Sequence, residues 1–191
     1  MTAVILHVTL IRHGATEWSE LGRHTSVTDM PLSELGVEQA KAIRSIVGQT
    51  HFDLVLSSPM ARARTTAALA GLGEHVETND NLHEWRYGDY EGLTTAEIRE
   101  RENNEWTIWT HPTPGGETPE QVGRRADAAI NRLPTTGKVA LVSHGHFLRV
   151  LTARWLGMPP ESGKHFELDT ASVCALGFER DVRTIEKWNL T

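Results

Sequence analysis

The stretch Val4-Ile5-Leu6-His7-Val8-Thr9-Leu10-Ile11-Arg12-His13-Gly14 decides the reading of the fold. From Val4 to Ile11 it is apolar and β-branched almost throughout, the composition of a strand covered on both faces. The strand stops abruptly at Arg12-His13-Gly14. Two further segments repeat this arrangement. Phe52 to Leu56 reads as a buried strand and runs into Ser57-Ser58-Pro59, with Arg62 one turn further on; Lys138 to Val142 runs into Ser143-His144-Gly145-His146.

Helical patterns separate the strands. One opens at Leu32-Ser33, places Leu35, Gln39, Ala42, Ile43, Ile46 and Val47 on one side, and stops at Gly48. A second is launched by Ser58 as N-cap with Pro59 at the first helical position, and runs to about Ala70. A short strand follows near His75 to Thr78, then a helix from Thr95 to Glu102. Thr118-Pro119-Glu120-Gln121 has the form of a capping box, and Val122, Ala126, Ala129, Ile130 and Leu133 give its helix a core stripe that Pro134 ends. The last helix reaches about Leu156, and closing strands fall at Ser172–Phe178 and Arg183–Trp188. Strands alternating with helices predict an α/β chain of three layers, α/β/α, around a mostly parallel sheet. No repeat or linker interrupts the pattern, so residues 1–191 are expected to form a single domain.

In such sheets ligands bind at the carboxyl ends of the strands. All three polar clusters are expected at that edge. A net charge of -6 offers no broad basic surface, which argues against a nucleic-acid partner, so an anionic ligand needs a local group of arginines instead. The apolar start lacks a basic n-region and a cleavage site, and no run is long enough to span a membrane. The only cysteine, Cys174, excludes an internal disulfide and suits a reducing compartment, so the expected location is cytoplasmic. Of the six tryptophans, Trp18, Trp85, Trp106 and Trp109 lie near these motifs.

Moving a phosphoryl group requires an in-line nucleophile, donors for the equatorial oxygens and an acid for the leaving alkoxide. A neutral imidazole serves as nucleophile once its other nitrogen is fixed. His13 stands at a strand end beside a glycine, Arg12 and Arg62 offer planar forks, and His144 offers a second imidazole. Arg62 falls in the first turn of a helix, where a cation is unfavourable unless an anion is bound. Glu84 is the best candidate acid, with Asp89 and Glu91 as rivals. His146 reads either as a packing residue or as a pocket contact.

Four motifs in order carry a resemblance: Leu10 to Trp18, Leu56 to Ala67, Leu82 to Gly92 and Val142 to His146. Together with the strand that opens the first of them they span residues 4 to 149, and they resemble the histidine phosphatase superfamily, with its phosphoglycerate mutase-like fold. The resemblance implies that His13 is phosphorylated and that Arg12, Arg62 and His144 complete the phosphate pocket. It implies that Glu84 first protonates the leaving group and then activates water, with no metal or organic cofactor. In the family the segment after the first motif also reaches the phosphate; here that implies Ser19, where mutases usually carry Asn, and Thr25.

Phosphoglycerate mutase is the nearest competing activity. Mutases of this kind carry a longer insertion between the acid and the second histidine, whereas only 59 residues, positions 85 to 143, intervene here. Hydrolysis of a small phosphorylated substrate is therefore expected. Glu84 to Gly92, Trp106 to Trp109 and His144 to Arg149 are similar to a subgroup of sugar-bisphosphatases and broad-specificity acid phosphatases, in which Arg86 and Arg149 would bind a second anion or pair with Asp89 or Glu91. A metal hydrolase built on His13, His144, His146 and an acid, and a non-catalytic phospholigand-binding module, are the alternatives from other classes. A homodimer is the assembly to test for.

Overall fold

The computed structural model describes residues 6–73 and 75–191. The first strand, β1, runs from Leu6 to Arg12; Val4 and Ile5, expected in it, lie outside the described residues. A short helix α1 (Glu17–Glu20), which the sequence pattern did not signal, follows with Thr16 and Ser19 forming its capping box. Then come α2 (Glu34–Val47), β2 (Leu54–Ser57), α3 (Ala61–Leu69), β3 (Val76–Thr78), α4 (Thr95–Glu102), α5 (Pro119–Asn131), β4 (Gly137–Ser143), α6 (Gly145–Trp155), β5 (Val173–Glu179) and β6 (Val182–Leu190).

The six strands form one sheet in the order β3-β2-β4-β1-β5-β6. The first four are mutually parallel and the last two antiparallel, matching the expected α/β class. Side chains alternate across the sheet as the period of two demands. Val139 and Leu141 of β4 join Val8 and Leu10 of β1 in a core with α5 and α6. Ala140 and Val142 join Ile11, Val55 and residues of α2 and α3 in a second core on the opposite face. These are the three layers.

Several local expectations are corrected. The buried face of α2 is Gly36, Ala40, Ile43 and Val47, whereas Leu35, Ala42 and Ile46 are exposed. The reason is the approach of the first motif: a Cβ on Gly36 would lie 1.9 Å from the Ala15 carbonyl oxygen, and one on Gly14 would lie 2.3 Å from that of Gly36. The helix is rotated to present its glycine, and the larger apolar side chains turn outward. Ser58 does not cap α3, whose N-cap is Met60 without a side-chain bond; Asp29 Oδ1 instead accepts from the Ala61 N–H at 2.8 Å. Helix α5 ends at Asn131, before Pro134. In β1, His7 is exposed, so that strand is not covered along its full length.

Register brings the motifs together. Arg12 pairs with Ser143 and Ser57 with Val142, so His13, Ser58 and His144 emerge side by side at one edge of the sheet.

Candidate active site

His13 leaves β1 with its backbone held on both sides, its N–H donating to Ser143 O at 3.0 Å and its carbonyl accepting from Ala171 N–H at 3.0 Å. Its ring Nδ1 lies 2.7 Å from the Gly14 carbonyl oxygen. A carbonyl only accepts, so Nδ1 carries the hydrogen and Nε2 keeps its lone pair. Burial, followed by the charges of Arg62 and Arg12, holds the imidazole well below the ordinary histidine pKa. The ring is therefore neutral near pH 7, with one defined nucleophilic nitrogen.

Arg12, on the next residue back, donates from Nη1 to the Leu168 carbonyl. Its Nε is buried and has no partner among the described residues. A buried guanidinium N–H without an acceptor is the kind of vacancy an anion fills.

Arg62 and His144 lie beneath His13, and neither lines the open cavity. Arg62 is fully buried, its Nε donating to His144 Nδ1 at 3.2 Å and its Nη groups to the carbonyls of Thr25, Ser26 and Thr28. Its charge at the start of α3 is offset by these carbonyls and by Asp29, 3.9 Å away, so a side chain occupies the role expected of a bound anion. Because Nδ1 of His144 accepts, Nε2 carries the hydrogen and donates to Ser58 Oγ at 2.8 Å. Ser58, read as a helix cap, thus serves the second histidine. The rings of His13 and His144 meet edge to face at 5.1 Å.

Glu84 is the carboxylate side chain that lines the cavity. Its Oε1 accepts from the N–H groups of Trp85 and Phe147, each at 2.8 Å, and its Oε2 from His146 N–H at 3.0 Å. Burial raises its pKa, while these three N–H groups and Arg12 pull the other way; the net direction is upward. The rivals are excluded by position. Asp89 is exposed, and Glu91 spends both oxygens on Ser26 and Thr28, shaping the loop that receives Arg62.

Arg12, His13 and Glu84 open on a cavity of about 220 Å³ that Ser19, Thr25, His146 and Arg149 also line. Arg86 is not there; it is exposed, with its backbone N–H donating to Glu117 Oε2. Arg149 lies 4.7 Å over the Trp109 ring and donates to the carbonyls of Gly163 and Lys164. His146 shares a hydrogen bond of 2.7 Å with the Tyr87 hydroxyl and stacks parallel to His24 at 6.0 Å. Arg23, His24 and Tyr87 are wall residues that sequence reasoning missed. Tyr87 meets His146 across 59 positions, and no local pattern signals such a contact. Among the described residues no three His, Cys, Asp or Glu side chains converge as a metal site requires.

The sequence and the fold resemble those of known proteins. The sequence model of the histidine phosphatase superfamily (branch 1) matches residues 8–191. An acid phosphatase of Mycobacterium tuberculosis is 43% identical over 187 residues, covering 95% of this chain and 91% of that protein. A sedoheptulose 1,7-bisphosphatase of Saccharomyces cerevisiae is 33% identical over 181 residues, covering 78% of this chain and 67% of the relative. A solved structure of a Mycobacterium tuberculosis open reading frame superposes with a TM-score of 0.89 at 42% identity, covering 97% of each chain.

Proposed function

This chain belongs to branch 1 of the histidine phosphatase superfamily, and we propose that it hydrolyses small phosphomonoesters through a phosphohistidine on Nε2 of His13. The observation that carries this reading is the His13–Gly14 hydrogen bond, which leaves a neutral ring with its free lone pair in the cavity shared with Glu84 and the unpartnered Arg12 Nε.

In the first step the Nε2 lone pair attacks phosphorus and the bond to the leaving oxygen breaks. The Glu84 carboxyl gives its proton to that oxygen, so an alcohol departs. In the second step water attacks phosphorus, the N–P bond breaks, and Glu84 takes a proton from the water. Arg12 meets the charge on the equatorial oxygens from the cavity wall, and Arg62, whose Nε is held by His144 Nδ1, adds positive charge from the floor. Water is the acceptor in this reading because only 59 positions separate Glu84 from His144 and α4, α5 and β4 occupy 28 of them, short of the longer insertion that mutases carry there. The single cysteine, buried as a free thiol, supports a cytoplasmic setting.

A sugar bisphosphate is the second reading, favoured by one observation: Arg23 and Arg149 face the same cavity as His13. A second anionic group on the substrate would meet one or both of them, and Ser19 and Thr25 line the same cavity.

The deciding experiment is rapid quench with a labelled phosphoester. Protein-bound phosphate that is acid-labile, base-stable and lost in His13→Ala is expected. A turning-over enzyme that never carries such label would sink the reading.

A further inference from the structure

Outside the cavity, one side chain has no part in the mechanism above yet is wholly committed to the residues that carry it. Arg125, on α5, uses all five of its N–H donors. Nε and Nη2 donate to the two carboxylate oxygens of Glu117 at 3.0 and 2.8 Å. Nη1 donates to the carbonyls of Asn81 and His83 at 2.8 and 2.6 Å, and Nη2 to that of Glu84 at 3.2 Å. Its guanidinium also lies 4.7 Å over the Phe147 ring, and the Phe147 N–H is one of the three donors that hold the Glu84 carboxylate.

Glu117 completes the grip. Its Oε2 accepts from Arg86 N–H at 3.0 Å and its carbonyl from the Trp85 indole at 2.8 Å. The pair therefore holds residues 81, 83, 84, 85 and 86, the segment on which Glu84 hangs. An ion pair whose side chains are each only 15% exposed sacrifices hydration and is weak evidence for stability by itself. A bidentate pair alone would need only the Glu117 bonds; the three bonds to loop carbonyls fix where the acid stands.

We propose that Arg125, clamped by Glu117, is the positioning residue for Glu84, setting the placement of the proton donor without touching substrate. The proposal rests on Glu84 being that donor. Proton transfer to a leaving oxygen depends steeply on donor placement, so loosening the clamp penalises esters that need a proton and spares those that do not.

The test compares kcat/KM, which reports the steps up to departure of the leaving group, on glycerol phosphate, whose alkoxide leaves only when protonated, and on p-nitrophenyl phosphate, whose phenolate leaves unaided. In Arg125→Lys, which keeps the charge and loses the planar fork, the ratio of the two rates is expected to shift against glycerol phosphate by about tenfold or more. Glu117→Gln, which keeps the side chain's shape and an acceptor, is expected to shift it the same way by a smaller factor and serves if the arginine variant does not fold. Adding Arg125→Lys to Glu84→Gln should produce no further shift, since the clamp acts only through the Glu84 proton. Two results overturn the proposal separately. If Glu84→Gln changes the ratio and neither clamp variant does, Arg125 only joins α5 to the loop. If Glu84→Gln itself leaves the ratio unchanged, the acid assignment falls and the clamp with it.

Discussion

The Glu84 carboxylate lies 2.8 Å from the backbone nitrogen of Phe147 and caps helix α6 from a distant segment of the chain. Helix α6 has His144 at its N-cap position, and that side chain makes no capping bond to the helix, so Glu84 fills a structural vacancy beside His144. Glu84→Gln is expected to lower kcat/KM for alkyl phosphates by about 10²–10⁴-fold and that for p-nitrophenyl phosphate far less. Steady-state assays on both esters check it; equal losses would mean that another group is the acid.

Stability should fall on mild acidification. Burial is the leading cause of the lowered pKa of His13, His24, His144 and His146, so the native state resists protons that the unfolded chain binds near 6.5. With more protons bound by the unfolded state, unfolding free energy rises with pH up to that value and drops below it, by up to about 1.4 kcal/mol per pH unit for each histidine. Glu84 acts in the opposite sense, its raised pKa adding stability that is lost as pH climbs above 4.5 and through the raised value. Denaturant titrations from pH 7.5 to 5 should show a falling midpoint; a flat profile would mean these rings are not buried neutral.

Gly36→Ala should be costly although it falls in the first turn of a helix, where alanine is ordinarily tolerated. The added methyl would meet the Ala15 carbonyl oxygen at 1.9 Å, which forces α2 away from the loop bearing His13. A loss of about 2–3 kcal/mol and reduced activity are expected. A thermal melt matching the parent protein would show that the two segments separate freely.

Arg149→Met separates the two substrate readings. It should raise KM for a sugar bisphosphate about tenfold or more, the worth of a charge-assisted hydrogen bond, while leaving KM for a simple monoester nearly unchanged. Methionine retains the apolar packing on Trp109. Parallel increases on both substrates would place Arg149 at the reacting phosphate instead.

The α/β class, the sheet edge carrying the candidate site, and the place of Arg12 and His13 at that edge were legible in the sequence, because strand burial and strand-end polar clusters are local patterns; Glu84 stands at no strand end and had Asp89 and Glu91 as rivals until the resemblance singled it out. The boundaries of α4 and the capping box of α5 were legible for the same reason. Other features were decided only by the tertiary structure. Leu35 faces solvent and Gly36 the core because a distant loop needs the space, and helical periodicity cannot see that loop. Ser58 serves His144 and not its own helix, and Arg86 points away from the cavity while Arg23 and Tyr87 line it. Arg125 grips the acid's loop from 41 to 44 positions away in sequence. Hydrophobic patterning reports which way a segment's faces turn; hydrogen bonds between segments depend on register and approach, which exist only once the sheet is assembled.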